Sequence, residues 1–260
     1  PLSSLMLGGI RDILIISTPK DLPDFERLLS DGSEIGINLQ YMEQQSPRGL
    51  PEAFTLGREF IGGDSVTLIL GDNIFHSEKF GLEFGAAASR TKDLGVANLF
   101  GYRVEDPERF GVAEVGESGN LLNIVEKPVN PITNIAVTGL YMYENSVCDR
   151  AKSLSPSSRG ELEITDLNMT YVKDGLAEIS VIGEEAIWMD AGTPDSLLEA
   201  SEKIRSLQKK ERRILACLEE ISWNLGYISD EQLSSLSEKY DSNSFYGSYL
   251  RSIIDGNNVI

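Results

Sequence analysis

The sequence predicts an α/β fold: a Rossmann-like mixed sheet, mainly parallel, that is flanked by helices. Strand-like and helix-like patterns alternate through the first hundred or so residues, which is the rhythm of a doubly wound parallel sheet. Strand patterns at 111–115, 121–126 and 135–143 then follow one another without helices between them. Strands joined in this way predict an antiparallel portion within the same sheet.

The individual elements are placed by periodicity and by the residues that interrupt it. Helices are predicted where apolar residues recur every three or four positions up to a glycine, and strands where apolar residues run together or alternate. In chain order this predicts helices at 2–7, 21–30, 51–60, 78–90, 145–154 and 162–173, and further strands at 12–17, 37–42, 66–70, 96–104 and 176–182, with a last strand ending at Asp190.

The carboxy-terminal part of the chain has a different character. From Pro194 onward the pattern is helical and polar, with paired Lys and Glu residues and short loops. We therefore expect a main domain at residues 1–197 and a helical extension at residues 198–260.

Composition excludes several classes of partner. The 260 residues carry a net charge of −18, and such a field repels nucleic acid polymers and anionic membranes. No apolar run approaches the length of a membrane span, and no charged-then-apolar amino-terminal signal is present, so the cytoplasm is the expected compartment. Cys148 and Cys217 have no metal-binding or CxxC spacing and are expected to be reduced thiols.

An apolar run that ends in an aspartate is the first candidate for chemistry. Residues 66–70 predict a strand buried on both faces, and Asp72 follows it at the carboxyl end, where open α/β sheets place ligands. Asp190 ends the last predicted strand in the same way. Two such carboxylates could share one Mg²⁺ that also holds a phosphate. The alternative is a pair of unrelated turn aspartates, because spacing alone cannot show that they meet.

Three further groups could bind a sugar nucleotide. Gln44 and Gly49 border a loop, and an amide with a nearby glycine suits the imide edge of a pyrimidine base. Glu126 and Lys127 close a strand, where one could bind a sugar hydroxyl and the other a phosphate. Arg159 precedes a helix amino terminus, which favours an anion. The alternatives are a solvated loop, an exposed ion pair and an Arg–Glu salt bridge, respectively.

The order of these motifs is itself distinctive. SPRGL, LGDN, FGV, EKP, AVTGLYMY, RGELEITD and WMDAGT occur in this order, and CLEEIS, GYI and YGSYL follow in the tail. In this order the chain resembles the long members of the glucose-1-phosphate thymidylyltransferase family of sugar nucleotidyltransferases, over nearly its whole length.

The resemblance implies a reaction and assigns residues to it. Glucose 1-phosphate and dTTP would give dTDP-glucose and pyrophosphate, with Asp72 and Asp190 holding Mg²⁺, and Asp72, Lys127 and Asp190 as the catalytic residues. Gln44 and Gly49 would hold thymine, Glu126 the glucose hydroxyls, and Lys127 and Arg159 the sugar phosphate. Gly111, Val137, Thr138 and Gly139 would line the sugar pocket, in the antiparallel portion. The resemblance also implies a homotetramer. Gln44 alone does not separate dTTP from UTP.

One departure from the family pattern concerns the amino-terminal end. Family members begin with a central strand and a glycine-rich GGxGTR turn, and Pro1 matches a point after both. On this basis we expect unpaired strand edges and little or no transferase activity in the chain as given. The alternative function is a catalytically inactive homologue that acts as a sugar-phosphate-binding or assembly subunit.

Overall fold

A computed structural model describes residues 1–116, 120–183 and 185–256. Within these residues the chain forms strands that alternate with helices and build three hydrogen-bonded sheets. The strands are β1 (Asp12–Ser17), β2 (Asn38–Glu43), β3 (Val66–Ile69), β4 (Asn73–His76), β5 (Ala97–Arg103), β6 (Gly111–Val115), β7 (Leu121–Glu126), β8 (Ile135–Tyr143), β9 (Ala177–Val181) and β10 (Ile187–Asp190).

The central sheet has six strands in the order β7-β6-β8-β5-β9, with β3 also paired to β8. Two smaller sheets consist of β1 with β2 and of β4 with β10. The mixed α/β class is therefore confirmed, as is the antiparallel pairing of β6, β7 and β8. The expectation of a mainly parallel sheet is wrong, because only β1–β2 and β5–β9 pair in parallel among the described strands. The long strand β8 runs antiparallel to β3, β5 and β6 and so takes part in three of the five pairings described in the central sheet.

Helices cover both faces of the central sheet, as predicted. They are α1 (Leu2–Leu7), α2 (Leu22–Leu29), α3 (Glu52–Leu56), α4 (Arg58–Ile61), α5 (Phe80–Leu94), α6 (Val147–Ser153), α7 (Ile164–Lys173), α8 (Pro194–Glu211), α9 (Leu218–Asn224), α10 (Asp230–Glu238) and α11 (Phe245–Ile254). The single helix predicted at 51–60 is interrupted at Gly57, a residue that weakens helices, and so forms α3 and α4. The predicted domain boundary at 197/198 lies inside α8.

Alternation along β8 divides the main core into two layers. Tyr141 and Tyr143 point to one layer, with Phe54 and Tyr171 from the helices α3 and α7. Leu140 and Met142 point to the opposite layer, where they meet the phenylalanine-rich face of α5. Both layers are buried, so the sheet is held rigidly between its helices.

A cavity separates β3 from β1. Its volume is about 750 Å³, and residues of both strands line it. Among the described pairings, β1 pairs only with β2, and β3 only with β8, so each strand has an unpaired edge. The residues of β3 are consequently half-buried rather than buried on both faces, which corrects that prediction.

The carboxy-terminal helices form a third core around Cys217, Leu233 and Leu250. This carboxy-terminal extension contacts the β1–β2 region. The Ser222 hydroxyl donates to the Ile35 carbonyl at 2.7 Å, and the Arg11 guanidinium lies 4.7 Å from the centre of the Tyr227 ring. Neither cysteine forms a disulfide, as predicted, and both are buried. None of the helices in the described ranges is long and apolar enough to cross a membrane.

Candidate active site

Asp72 and Asp190 lie side by side although 118 positions separate them in the sequence. Asp72 ends the short turn between β3 and β4, and Asp190 is the last residue of β10. Pairing of β4 with β10 aligns Asp190 with Asn73, the neighbour of Asp72. The Ala191 amide then donates to the Asp72 carbonyl at 2.8 Å, which locks the two strand ends together.

A glycine marks the space between the two carboxylates. A Cβ on Gly192 would lie 2.9 Å from Asp190 Oδ1 and 3.1 Å from Asp72 Oδ2. These two oxygens are therefore at most about 6 Å apart, since both lie close to one point. The Gly192 amide also donates to Asp190 Oδ1 at 2.9 Å and orients that carboxylate.

The donor set suits magnesium. Mg²⁺ prefers oxygen ligands and is usually held by one or two carboxylates while phosphate and water complete its shell. Among the described residues no cluster of three or more His, Cys, Asp or Glu is placed to hold a metal. Two carboxylates beside an open space thus fit Mg²⁺ with a phosphate ligand better than a closed structural metal site.

A second group of charges lies at the carboxyl end of β7. The Thr165 hydroxyl donates to Glu126 Oε2 at 2.8 Å and fixes the carboxylate against the start of α7. Gly111 pairs with Glu126 across the β6–β7 ladder, and a Cβ there would lie 3.2 Å from the same oxygen. Glu126 remains exposed to solvent beside this small residue, so it can still accept from a ligand.

Lys127 has a strained backbone. Its φ is +44°, a region that side chains other than glycine rarely occupy, and it precedes a proline that disfavours compact backbone conformations. The Lys127 amide donates to the Phe110 carbonyl at 2.9 Å and holds this turn. No ion pair joins Glu126 to Lys127 among the described residues, so the predicted alternative of an exposed pair does not form.

Arg159 is paired with Glu163. Its Nε and Nη2 donate to the two oxygens of that carboxylate at 3.2 Å and 2.7 Å. This bond to Arg159, with one from the Ser157 hydroxyl, holds the pKa of Glu163 below its ordinary value. The alternative of a salt bridge is therefore realised, and it does not exclude ligand binding because the exposed guanidinium has further N–H donors.

The loop at 44–51 packs against the Arg159 loop. Gln44 Nε2 donates to Glu52 Oε2 at 2.8 Å, and the Leu162 amide donates to the Arg48 carbonyl at 2.8 Å. Gly49 has a φ of +101°, and a Cβ on it would lie 2.0 Å from the Leu162 carbonyl oxygen. Close approach between two chain segments thus explains this glycine, whereas the sequence suggested close approach to a base.

The segment of β8 at 137–139 is largely inside the sheet. The buried Thr138 hydroxyl donates to the Phe100 carbonyl at 2.9 Å, and Val137 packs against the core. Gly139 donates its amide to Asn73 Oδ1 at 2.8 Å. The Thr138 hydroxyl therefore makes a hydrogen bond within the sheet. That these residues line a sugar pocket stays a prediction.

Two residues, Phe110 and Tyr141, lie near both the carboxylate pair and the second group of charges. The Phe110 ring packs edge-on against Trp188 of β10 with centroids 5.2 Å apart, while the Phe110 carbonyl holds Lys127. Burial raises the pKa of the Tyr141 hydroxyl, and the nearby carboxylates of Glu126 and Asp72 raise it further. Phe110 therefore links the end of β7 to β10, although the two strands belong to different sheets.

Several residues of this region are not predicted from the sequence. The sequence assigns no role to Thr165, Gly192 or Asn73, although they lie within the motifs RGELEITD, WMDAGT and LGDN. Arg109 bonds to Asp106, which raises its pKa, and the carboxylate of Asp190 contributes to that shift. His76 Nε2 lies 2.7 Å from Glu211 Oε1 of α8, and this contact joins α8 to β4.

Comparisons with known proteins agree with this geometry. A family model described as nucleotidyl transferase matches residues 1–206. A glucose-1-phosphate thymidylyltransferase of Neisseria meningitidis serogroup A is 48% identical over 250 residues, which cover 96% of this chain and 85% of the relative. A protein of the same name from Mycobacterium tuberculosis is 42% identical over 257 residues, covering 99% of this chain and 88% of the relative.

Solved structures share the fold. A Bacillus anthracis protein named as a glucose-1-phosphate thymidylyltransferase, crystallised with a sucrose, superposes with a TM-score of 0.69 at 36% identity and covers 78% of this chain and 80% of that one. A UDP-glucose pyrophosphorylase complexed with UDP-glucose superposes with a TM-score of 0.64 at 22% identity over 79% of this chain and 84% of that one, a likeness that concerns the fold alone.

Fold, carboxylate pair and family match together define a nucleotidyltransferase, an enzyme class that joins a nucleotide to a second substrate. Within that class, the chain belongs to the glucose-1-phosphate thymidylyltransferase family. The expected loss of activity and the alternative of an inactive binding subunit gain no support from these relatives.

Proposed function

We propose that this protein forms dTDP-glucose and pyrophosphate from glucose 1-phosphate and dTTP. The observation that carries the proposal is the meeting of Asp72 and Asp190 where β4 begins and β10 ends. Glu126 and Lys127 lie at the end of β7, and Arg159 lies in the loop before α7. Two carboxylates for a cation and two cations for a phosphate are the groups that nucleotidyl transfer needs. The names of the relatives supply the identity of the two substrates.

Asp72 and Asp190 would hold Mg²⁺ as the cofactor. When bound, Mg²⁺ neutralises phosphate charge and fixes the triphosphate for an in-line displacement. The chain contributes the position of the two carboxylates, which the β4–β10 pairing and the Gly192 amide hold before any ligand arrives. Such preorganisation lowers the reorganisation that the reaction requires.

Lys127 and Arg159 would hold the phosphate of glucose 1-phosphate, while Glu126 accepts from sugar hydroxyls. An oxygen of this phosphate attacks the α-phosphorus of dTTP as the bond to pyrophosphate breaks. The attacking group is already an anion, so no general base is needed. The task of the three side chains is to bring that anion into line and to offset its charge.

Gln44 and Gly49 would hold the base. After its bond to Glu52, the Gln44 amide still has one N–H and its carbonyl oxygen free to meet an imide edge. Thymine and uracil present the same edge, so the preference for dTTP over UTP depends on contacts to the thymine methyl group or to the 2′ position of the sugar. We also propose that the protein is a homotetramer, as the family resemblance implies, and that it works in the cytoplasm.

The test is an assay of nucleotide-sugar formation. Purified protein is incubated with Mg²⁺ and glucose 1-phosphate together with dTTP or UTP, and dTDP-glucose and UDP-glucose are separated by chromatography while pyrophosphate is measured independently. We expect dTDP-glucose with an equal amount of pyrophosphate. Product from UTP alone would overturn the choice of nucleotide, and no product from either would contradict the proposed reaction.

A further inference from the structure

The side chain of Asn73 is buried directly behind the candidate metal site. Only 4% of Asn73 is exposed, whereas its neighbour Asp72 is exposed to solvent. Asn73 Oδ1 accepts from the Gly139 amide at 2.8 Å and from the Trp188 indole at 2.7 Å. Asn73 Nδ2 donates to Asp72 Oδ1 at 2.8 Å. One amide thus contacts β8, β10 and the candidate cation ligand.

The hydrogen-bond partners settle which way this amide points. A backbone N–H and an indole N–H are donors only, so the oxygen of Asn73 must face Gly139 and Trp188. The NH₂ group then has to face Asp72. A reversed amide would place donors against donors inside the protein, which is costly because buried polar groups need partners.

We propose that Asn73 is a positioning residue for the cation, a role that rests on the proposed function. Its NH₂ group holds Asp72 Oδ1 and thereby leaves Oδ2 turned towards the space above Gly192, where Asp190 Oδ1 also lies. Without that bond, the exposed carboxylate is free to rotate away from its partner. Groups that orient a metal ligand in this way typically change metal affinity about 10- to 100-fold when they are removed.

Gly139 belongs to the same arrangement. A Cβ at this position would lie 2.7 Å from both Cγ and Nδ2 of Asn73, which is closer than non-bonded atoms can approach. Only glycine in β8 leaves room for the amide and at the same time donates its N–H to it. Position 139 therefore requires glycine because the Asn73 amide packs directly against it.

The experiment measures Mn²⁺ binding by the full chain without substrates, from the electron paramagnetic resonance signal of free Mn²⁺. Asn73→Ala removes the donor to Asp72, and Trp188→Phe is the matched control, because it removes one bond to Asn73 while the donor to Asp72 remains. We expect about tenfold weaker binding in Asn73→Ala and less than a twofold change in Trp188→Phe.

A double-mutant cycle separates positioning from a general loss of structure. If Asn73 acts through Asp72, then Asn73→Ala brings no further loss of Mn²⁺ affinity in an Asp72→Asn background. An equal loss in both backgrounds would overturn the proposal, as would unchanged binding by Asn73→Ala or an equal loss in the Trp188→Phe control.

A second variant keeps the test valid if Asn73→Ala does not fold. The double variant Asn73→Leu/Trp188→Phe removes the indole donor together with its acceptor, which leaves fewer unpaired buried groups. It should bind Mn²⁺ about tenfold more weakly than Trp188→Phe alone. The readout needs no turnover, so failure of this inference is distinct from failure to form dTDP-glucose.

Discussion

The two halves of the candidate site are held in different ways. Asp72 and Asp190 sit at the ends of paired strands, and buried groups or backbone amides fix their orientation. Lys127 and Arg159 lie on exposed turns, where one has a strained backbone and the other is paired with Glu163. The first half is ready for its ligand, whereas in the second half Arg159 has to share its donors between Glu163 and an incoming phosphate.

This difference matches what each half has to bind. A small cation requires ligands at fixed distances, so rigid strands suit it. A sugar phosphate has to enter, react and leave, and side chains on turns can follow it. The comparison predicts that changes in the first half act on catalysis and changes in the second half act on substrate affinity.

The largest expected effect is the loss of a metal carboxylate. Asp72→Asn and Asp190→Asn should each lower the rate of dTDP-glucose formation on the order of 10³-fold, because the cation and the charge that it neutralises are lost. Both variants should melt close to the parent temperature, since Asp72 is exposed and Asp190 is half-buried. A rate within tenfold of the parent would remove these residues from the mechanism.

Loss of the Arg159 guanidinium should weaken the binding of glucose 1-phosphate. Arg159→Gln is expected to raise the KM for glucose 1-phosphate about 10- to 100-fold, as one charge-assisted contact to a phosphate is lost. Mn²⁺ binding serves as the internal control and should stay within twofold. If Mn²⁺ binding falls in parallel, then the two halves are not independent.

A substitution at Gly49 tests whether close packing of its backbone against Leu162 stabilises the loops of the second half of the site. Gly49→Ala should destabilise the protein by about 1–3 kcal/mol or more, because the backbone conformation is strained for alanine and the new Cβ meets the Leu162 carbonyl. Gly9→Ala is the matched control, since Gly9 also has a positive φ but open space around it. Chemical denaturation compares the two, and equal losses would show that the contact to Leu162 contributes nothing.

The smallest expected effect concerns Glu163. Glu163→Gln releases Arg159 and should lower the KM for glucose 1-phosphate about two- to threefold, with little change in melting temperature because the guanidinium of the pair is exposed. The pair is intact above the ordinary pKa of a glutamate and is lost as the pH falls through the lowered pKa of Glu163. Carboxyl NMR should show that pKa return towards its ordinary value in Arg159→Gln. A KM that rises in Glu163→Gln would indicate that the carboxylate positions the guanidinium for the substrate.

Local patterns predicted the elements better than their pairing. The strands at 111–115, 121–126 and 135–143 match β6, β7 and β8 to the residue, since alternation and turn residues are local signals. The parallel share of the sheet was overestimated because the partners of β8 lie far away in the sequence. For the same reason, the exposure of β3 to a cavity could not be read from its own apolar residues.

The candidate site shows the same limit. Asp72, Asp190 and Arg159 were identified from their places next to strand and helix ends, and even the alternative of an Arg159–Glu pair was foreseen. Their convergence depends on the β4–β10 pairing, which joins residues 73–76 to 187–190. The role of Asn73 is not predicted from the sequence, because the donors that reveal it, Gly139 and Trp188, are distant in the chain.

The central claim is that Asp72 and Asp190 hold a single divalent cation. Anomalous diffraction from crystals soaked with Mn²⁺ and dTTP tests it most directly. We expect one manganese peak within about 2.5 Å of Asp72 Oδ2, with Asp190 Oδ1 in contact with it directly or through one water molecule. A peak that contacts neither aspartate, with the nucleotide phosphates bound elsewhere, would contradict the account.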